Sequence, residues 1–132
     1  MGRLFIAATD PRVLICGRAV VSGSAVKFDW PGVIIKLAVR GASRVYLRMD
    51  GNKNYFGVKQ EGGASSSFAT KRQTVKDYLL PLDLTQSNTT NFTITKRTEA
   101  RAEYGLFSSS TGIVTLHGIV LDGDDDGALL LP

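Results

Sequence analysis

Apolar and polar residues alternate with a period of two along much of this chain. Val33, Ile35, Leu37 and Val39 interleave with Ile34, Lys36, Ala38 and Arg40; Val45, Leu47 and Met49 interleave with Arg44, Tyr46, Arg48 and Asp50. Successive side chains of a strand point to opposite faces, so each run predicts a strand with one buried and one solvent face. Gly41-Ala42-Ser43 between them reads as a short turn, and the two runs are expected to form an antiparallel hairpin. Phe92 and Ile94 alternate with Thr93 and Thr95 in the same way. Residues 113–121 are rich in β-branched and aliphatic side chains, which suits a strand buried on both faces. Further strands are predicted over 13–21, 25–29, 55–60, 75–80 and 102–108, separated by clusters such as Ser22-Gly23-Ser24 and Glu61-Gly62-Gly63. No stretch longer than two turns has a helical period. Short strands in this number and spacing predict an all-β fold, a sandwich or a barrel.

A chain of 132 residues is expected to be one domain, 1–132, large enough to hold a core without staples. The run Asp122-Gly123-Asp124-Asp125-Asp126-Gly127 opens a segment, 122–132, that reads as an acidic exit from the fold. The single cysteine, Cys16, excludes an internal disulfide, and its place in Val13-Leu14-Ile15-Cys16 predicts a small buried hydrophobe. No apolar run reaches the roughly 18 residues of a membrane span, so no membrane partner is expected. The first eight residues are too short for a signal peptide, and Met1-Gly2 lacks the Ser or Thr at position 6 of a myristoylation pattern. A net charge of +4 and a pI near 9.4 raise the question of nucleic acid. The cations are dispersed, however, with Lys71-Arg72 and Lys96-Arg97 the only adjacent pairs, and no nucleic-acid partner is expected.

Candidate chemistry is sparse. His117 is the only histidine, and neither Gly-x-Ser-x-Gly nor Gly-Asp-Ser occurs, so no catalytic residue is assigned. One His and one Cys far apart fail every zinc spacing. Asp122, Asp124 and Asp126 match the first half of a calcium loop, but the acid expected at its twelfth position would fall beyond Pro132; a solvated acidic linker competes with a Ca2+ site. Asn88-Thr89-Thr90 and Asn91-Phe92-Thr93 are glycosylation sequons. Lys36, Tyr46 and Arg48 share the outer face of the expected hairpin, and Asn54 and Tyr55 open the next strand. Aromatic faces with planar polar groups suit sugars, which makes Tyr46, Arg48, Lys36, Asn54 and Tyr55 the candidate glycan-binding set. An ordinary solvated sheet face is the competing reading. Trp30, the lone tryptophan, enters a turn at Pro31-Gly32 as a core anchor, a stacking platform or a domain-interface residue.

A set of short motifs runs in order along the chain: Asp10-Pro11-Arg12, Gly17-Arg18, Phe28-Asp29-Trp30-Pro31-Gly32, Asn54-Tyr55-Phe56, Lys96-Arg97-Thr98-Glu99-Ala100 and Gly118-Ile119-Val120-Leu121-Asp122. The chain in this respect resembles the N-terminal jelly-roll domain of carbohydrate esterase family two, from about Asp10 to Leu131. Lys59-Gln60-Glu61-Gly62-Gly63 departs from the family pattern, which closes that strand with an apolar residue and Asp-Gly.

The resemblance implies an antiparallel β-sandwich of jelly-roll type, a non-catalytic accessory domain of a secreted, extracellular polysaccharide acetyl esterase such as an acetyl xylan esterase. Its implied partners are a Ser-Gly-Asn-His (SGNH) hydrolase domain following Pro132 and a plant-type polysaccharide. Trp30, Arg97 and Glu99 would then be framework or domain-contact residues, with Glu99 paired to Arg97, Arg101 or Arg18. Two other functions stay open: an autonomous carbohydrate-binding module, and a structural or protein-interaction sandwich without sugar affinity.

Overall fold

The computed structural model describes residues 2–29, 32–51, 54–63, 65–70, 74–84, 89–97, 113–123 and 129–130. Twelve strands are found among them: β1 (Gly2–Ala7), β2 (Leu14–Cys16), β3 (Val20–Ser22), β4 (Ala25–Phe28), β5 (Ile34–Arg40), β6 (Ala42–Asp50), β7 (Tyr55–Gln60), β8 (Ser65–Ala69), β9 (Val75–Leu79), β10 (Thr89–Lys96), β11 (Val114–Gly123) and β12 (Leu129–Leu130). Sheet A runs β3-β4-β11-β6-β9, with β1 also on β11. Sheet B runs β12-β5-β10-β7-β8, with β2 also on β5. Every ladder is antiparallel. The pairs β4·β11, β5·β10, β6·β9 and β7·β8 trace one long hairpin whose two four-strand arms are wound together across both sheets. That winding is the jelly roll, a double-sheet solution to closing an antiparallel fold.

The alternation read from sequence sets the buried faces. Ile35, Leu37 and Val39 of sheet B and Val45, Leu47 and Met49 of sheet A are all at most 4% exposed and belong to one core. Burial of each such side chain contributes roughly 1.5–3 kcal/mol. The expected β5–β6 hairpin, in contrast, does not form: the two strands lie in opposite sheets. Ala42 already pairs with Gly123 in β6, which leaves Gly41 (φ 74°) as the whole connection. The common tight hairpin needs two loop residues. One glycine at positive φ turns the chain around the corner of the sandwich instead.

Other departures have local causes. The predicted 13–21 strand is two short strands in different sheets, broken at Gly17 (φ 122°). Cys16 is exposed, not buried: in edge strand β2 the inward residue is Ile15, so Leu14 and Cys16 face solvent. β1 pairs along its whole length with β11, Gly2 opposite Gly123 through Ala7 opposite Gly118. β1 thus continues sheet A beside β11, and on the outer face Val120 lies fully buried between the registered Phe5 and Tyr46. β11 is therefore buried on both faces there, as its composition predicts. The predicted 102–108 strand lies outside the described residues. At the other end of the sequence Asp122 and Gly123 belong to β11, and β12 returns to pair with β5 at Val39 and Arg40.

Candidate functional site

The sandwich presents two outer faces, and it divides the candidate glycan-binding residues between them. Tyr46 and Arg48 stand on sheet A. Arg48 donates two hydrogen bonds to Asp77 on β9, Nε to Oδ1 at 2.7 Å and Nη2 to Oδ2 at 3.0 Å. Arg3 on β1 does the same to Asp122, at 2.8 and 3.1 Å. The two guanidinium groups also cap aromatic rings: Arg3 lies 5.3 Å from the Tyr46 centroid and Arg48 5.1 Å from that of Phe5. Opposite charges and rings thus interlock over β1, β11, β6 and β9. The hydrogen bonds from Arg48 and Arg3 hold the Asp77 and Asp122 carboxyls below the ordinary range, against a smaller opposing effect of burial. Asp122, the described member of the candidate calcium-loop set, accepts both hydrogen bonds from Arg3. Asp124 and Asp126 lie outside the described residues, and no group of three His, Cys, Asp or Glu that could hold a metal occurs among those described.

Lys36 stands on the opposite face, on sheet B. There the ladders align Leu14, Lys36, Thr93, Lys59 and Ser65 on one rung across β2, β5, β10, β7 and β8. The next rung brings Ala38 opposite Asn91, whose carbonyl accepts from the Glu61 N–H at 2.8 Å. An open groove of about 460 Å³ runs over these residues, with Arg12 at its edge. Arg12 is clamped to Asp10 through its backbone N–H and its guanidinium at 2.8–2.9 Å, and these hydrogen bonds lower the Asp10 carboxyl to about 2. Sequence reading found Lys36 but missed Lys59 and Thr93. Their outward parity is visible in the sequence; their meeting with Lys36 depends on the β5·β10·β7 register.

Asn54 does not belong to a surface site. It is 1% exposed and locks the start of β7: its Nδ2 donates to the Gly51 carbonyl at 2.7 Å, and its N–H donates to Thr70 Oγ1 at 2.9 Å. Tyr55, the first residue of β7 in sheet B, is 59% exposed. The five candidates therefore fall on two faces and in the interior, and the structure does not bring them together. Of the Lys96–Ala100 motif, Lys96 points inward in register with Phe56 and is 1% exposed. Arg97 is exposed; its N–H donates to the Tyr55 carbonyl at 2.9 Å and its stem packs over Gly57, which has no Cβ to obstruct it. Trp30 and Glu99 lie outside the described residues, as does the proposed Glu99 pairing. His117, half-buried in β11, sits at an irregularity between Leu116 and Gly118 where the β6 register shifts by one residue.

The family model "Carbohydrate esterase 2 N-terminal" matches residues 15–126. The chain belongs to this family. No curated protein matches the sequence. Among solved structures, the carbohydrate esterase 2 N-terminal domain described here is similar to part of a family two carbohydrate esterase from Cellvibrio japonicus, with TM-score 0.75 and 24% identity over 99% of this chain and 36% of that one. It is also similar to a family two esterase from Clostridium thermocellum solved with cellohexaose, with TM-score 0.59 and 21% identity over 99% and 33%. A third is a family 2 enzyme with a carbohydrate-binding domain from Corynascus thermopiles (Myceliophthora fergusii), with TM-score 0.54 and 15% identity over 99% and 31%. At these identities the likeness is one of fold. The domain spans about a third of the length of each of these enzymes, in which it is joined to a further domain.

Proposed function

We propose that this chain is the non-catalytic accessory sandwich of a secreted polysaccharide acetyl esterase. It packs against an SGNH-type hydrolase domain that carries out deacetylation, and it contributes a rigid frame together with a sheet face open to glycan. The observation that carries this reading is the family match over residues 15–126, within a fold that makes up about a third of each similar esterase. The candidate glycans are plant cell-wall polysaccharides, xylan among them; the cellohexaose held by the Clostridium thermocellum enzyme supports a β-linked glycan of that kind. Arg97, with Trp30 and Glu99, remains the proposed contact to the hydrolase domain, since an exposed guanidinium at a strand end orients a neighbour more than it stabilises the fold.

Three proteins test this: the complete reading frame, the same frame without residues 1–132, and residues 1–132 alone. The complete protein is expected to release acetate from acetylated xylan, the truncated one to do so less well and with a lower Tm, and residues 1–132 alone not at all. Acetate release by residues 1–132 alone, or none by the complete protein, overturns the proposal. An autonomous carbohydrate-binding module is the second reading, favoured by the sheet B groove. It predicts glycan affinity of the isolated domain with no effect of its removal on the hydrolase.

A further inference from the structure

On the central rung of sheet B, Thr93 stands directly between Lys36 and Lys59. Strands spaced about 4.8 Å apart set the two lysine backbones roughly 10 Å from each other. Neither ammonium makes an ion pair among the described residues, whereas Arg3, Arg12 and Arg48 all do. Two like charges on one sheet face repel, and an anion seated between them turns that repulsion into attraction. The surroundings narrow the choice of anion. Glu61 and the Asp10–Arg12 pair flank the groove, so it is no continuous cationic stripe of the kind that tracks a phosphate backbone. Thr93, Asn91 and Glu61 offer donors and acceptors suited to hydroxyl groups. A volume of about 460 Å³ is in the range of small-ligand sites.

We infer that this groove binds a carboxylate-bearing sugar residue of a polysaccharide, with the carboxylate between Lys36 and Lys59 and the hydroxyl groups toward Thr93, Asn91 and Glu61. The inference rests on the accessory-domain reading and specifies its ligand as an acidic, uronate-containing glycan. Titration of the chain with oligogalacturonate, followed by backbone amide NMR, tests it. Shifts are expected to centre on Lys36, Thr93 and Lys59. Lys36→Gln or Lys59→Gln is expected to weaken binding about tenfold, as loss of one charge-assisted contact does. Lys76→Gln, on the opposite sheet, is expected to leave it unchanged, and the unperturbed spectra of these surface variants verify folding. Neutral xylo-oligosaccharide binding as tightly overturns the inference. So does equal binding of polyglutamate or single-stranded DNA, a response confined to sheet A, or no response at millimolar ligand. Each of these outcomes leaves the deacetylation test untouched, so the two proposals fail separately.

Discussion

Gly118 is the position where a single methyl group tests the architecture most directly. It lies in β11 with β1 on one side and β6 on the other, opposite Ala7 and Arg48. A Cβ built there falls on the carbonyl oxygen of Ile6 and comes within 2.6 Å of Cε1 and Cζ of Phe5. The Phe5 ring is 46% exposed and has room to swing away. The Ile6 carbonyl is backbone and moves only if β1 moves. The variant must therefore either strain the β1·β11 ladder or withdraw Ile6, which is 4% exposed, from the core. Overpacking costs about 1–3 kcal/mol, and giving up a buried Ile side chain costs roughly 1.5–3 kcal/mol. The cheaper route sets the loss, so Gly118→Ala is expected to destabilise by roughly 2 kcal/mol and to lower Tm by several degrees. Urea unfolding followed by far-UV circular dichroism measures the first, and hydrogen exchange should show β1 amides losing protection before the rest of sheet A. Adding Phe5→Ala should restore only a minor part of the loss, because the backbone obstacle remains. A loss below about 0.5 kcal/mol, the range of an ordinary surface substitution, refutes the reasoning; full rescue by Phe5→Ala refutes the assignment to Ile6.

Three further outcomes are expected. Asn54→Ala should destabilise by roughly 1–3 kcal/mol in the same assay, since it leaves the buried Gly51 carbonyl without its side-chain donor; a neutral effect would return Asn54 to the surface. Asp77, Asp122 and Asp10 have folded pKa values depressed by Arg48, Arg3 and Arg12, so their contribution to stability is complete above the unfolded value near 4 and is lost as pH falls through the lower folded values, about 2 for Asp10. The urea midpoint should be level from neutral pH to about 5 and drop below about 4, and Arg3→Gln with Arg48→Gln should flatten that drop; a midpoint that rises on acidification contradicts the sign. Cys16, exposed on an edge strand, should react with a thiol reagent in the native protein as fully as in denaturant, and protection in the native state would contradict its placement.

How far the sequence carried depended on distance along the chain. A period of two is a local property, and it marked the inward residues of β5, β6 and β10 correctly. Partner choice is not local. Leu116 pairs with Val26 across most of the chain, and no turn or spacing announces it. The one apparent local cue, Gly41-Ala42-Ser43, pointed to the wrong neighbour because Ala42 is already a ladder residue and Ser43 is absorbed where the β6·β11 register shifts. A β5–β6 hairpin would set Lys36 beside Tyr46 and Arg48, which in the structure stand on the opposite sheet.

The family motif at Lys96 follows the same logic with a different outcome. Phe92, Ile94 and Lys96 share one parity in β10, and all three are buried. The alternation alone therefore assigns Lys96 inward and Arg97 outward, a division that charge composition obscures. An ammonium buried beside Phe56 is tolerated only with polar partners at hand, since desolvating a lone charge costs several kcal/mol. Its backbone meanwhile holds Gly32 and Val33: the Lys96 N–H donates to the Val33 carbonyl at 3.0 Å, and the Lys96 carbonyl accepts from the Gly32 N–H at 2.9 Å. The two motifs that stand some seventy residues apart in the sequence are thus joined at one end of sheet B. One half of that junction, Lys96, serves the interior, and the other, Arg97, faces outward with its stem laid over Gly57.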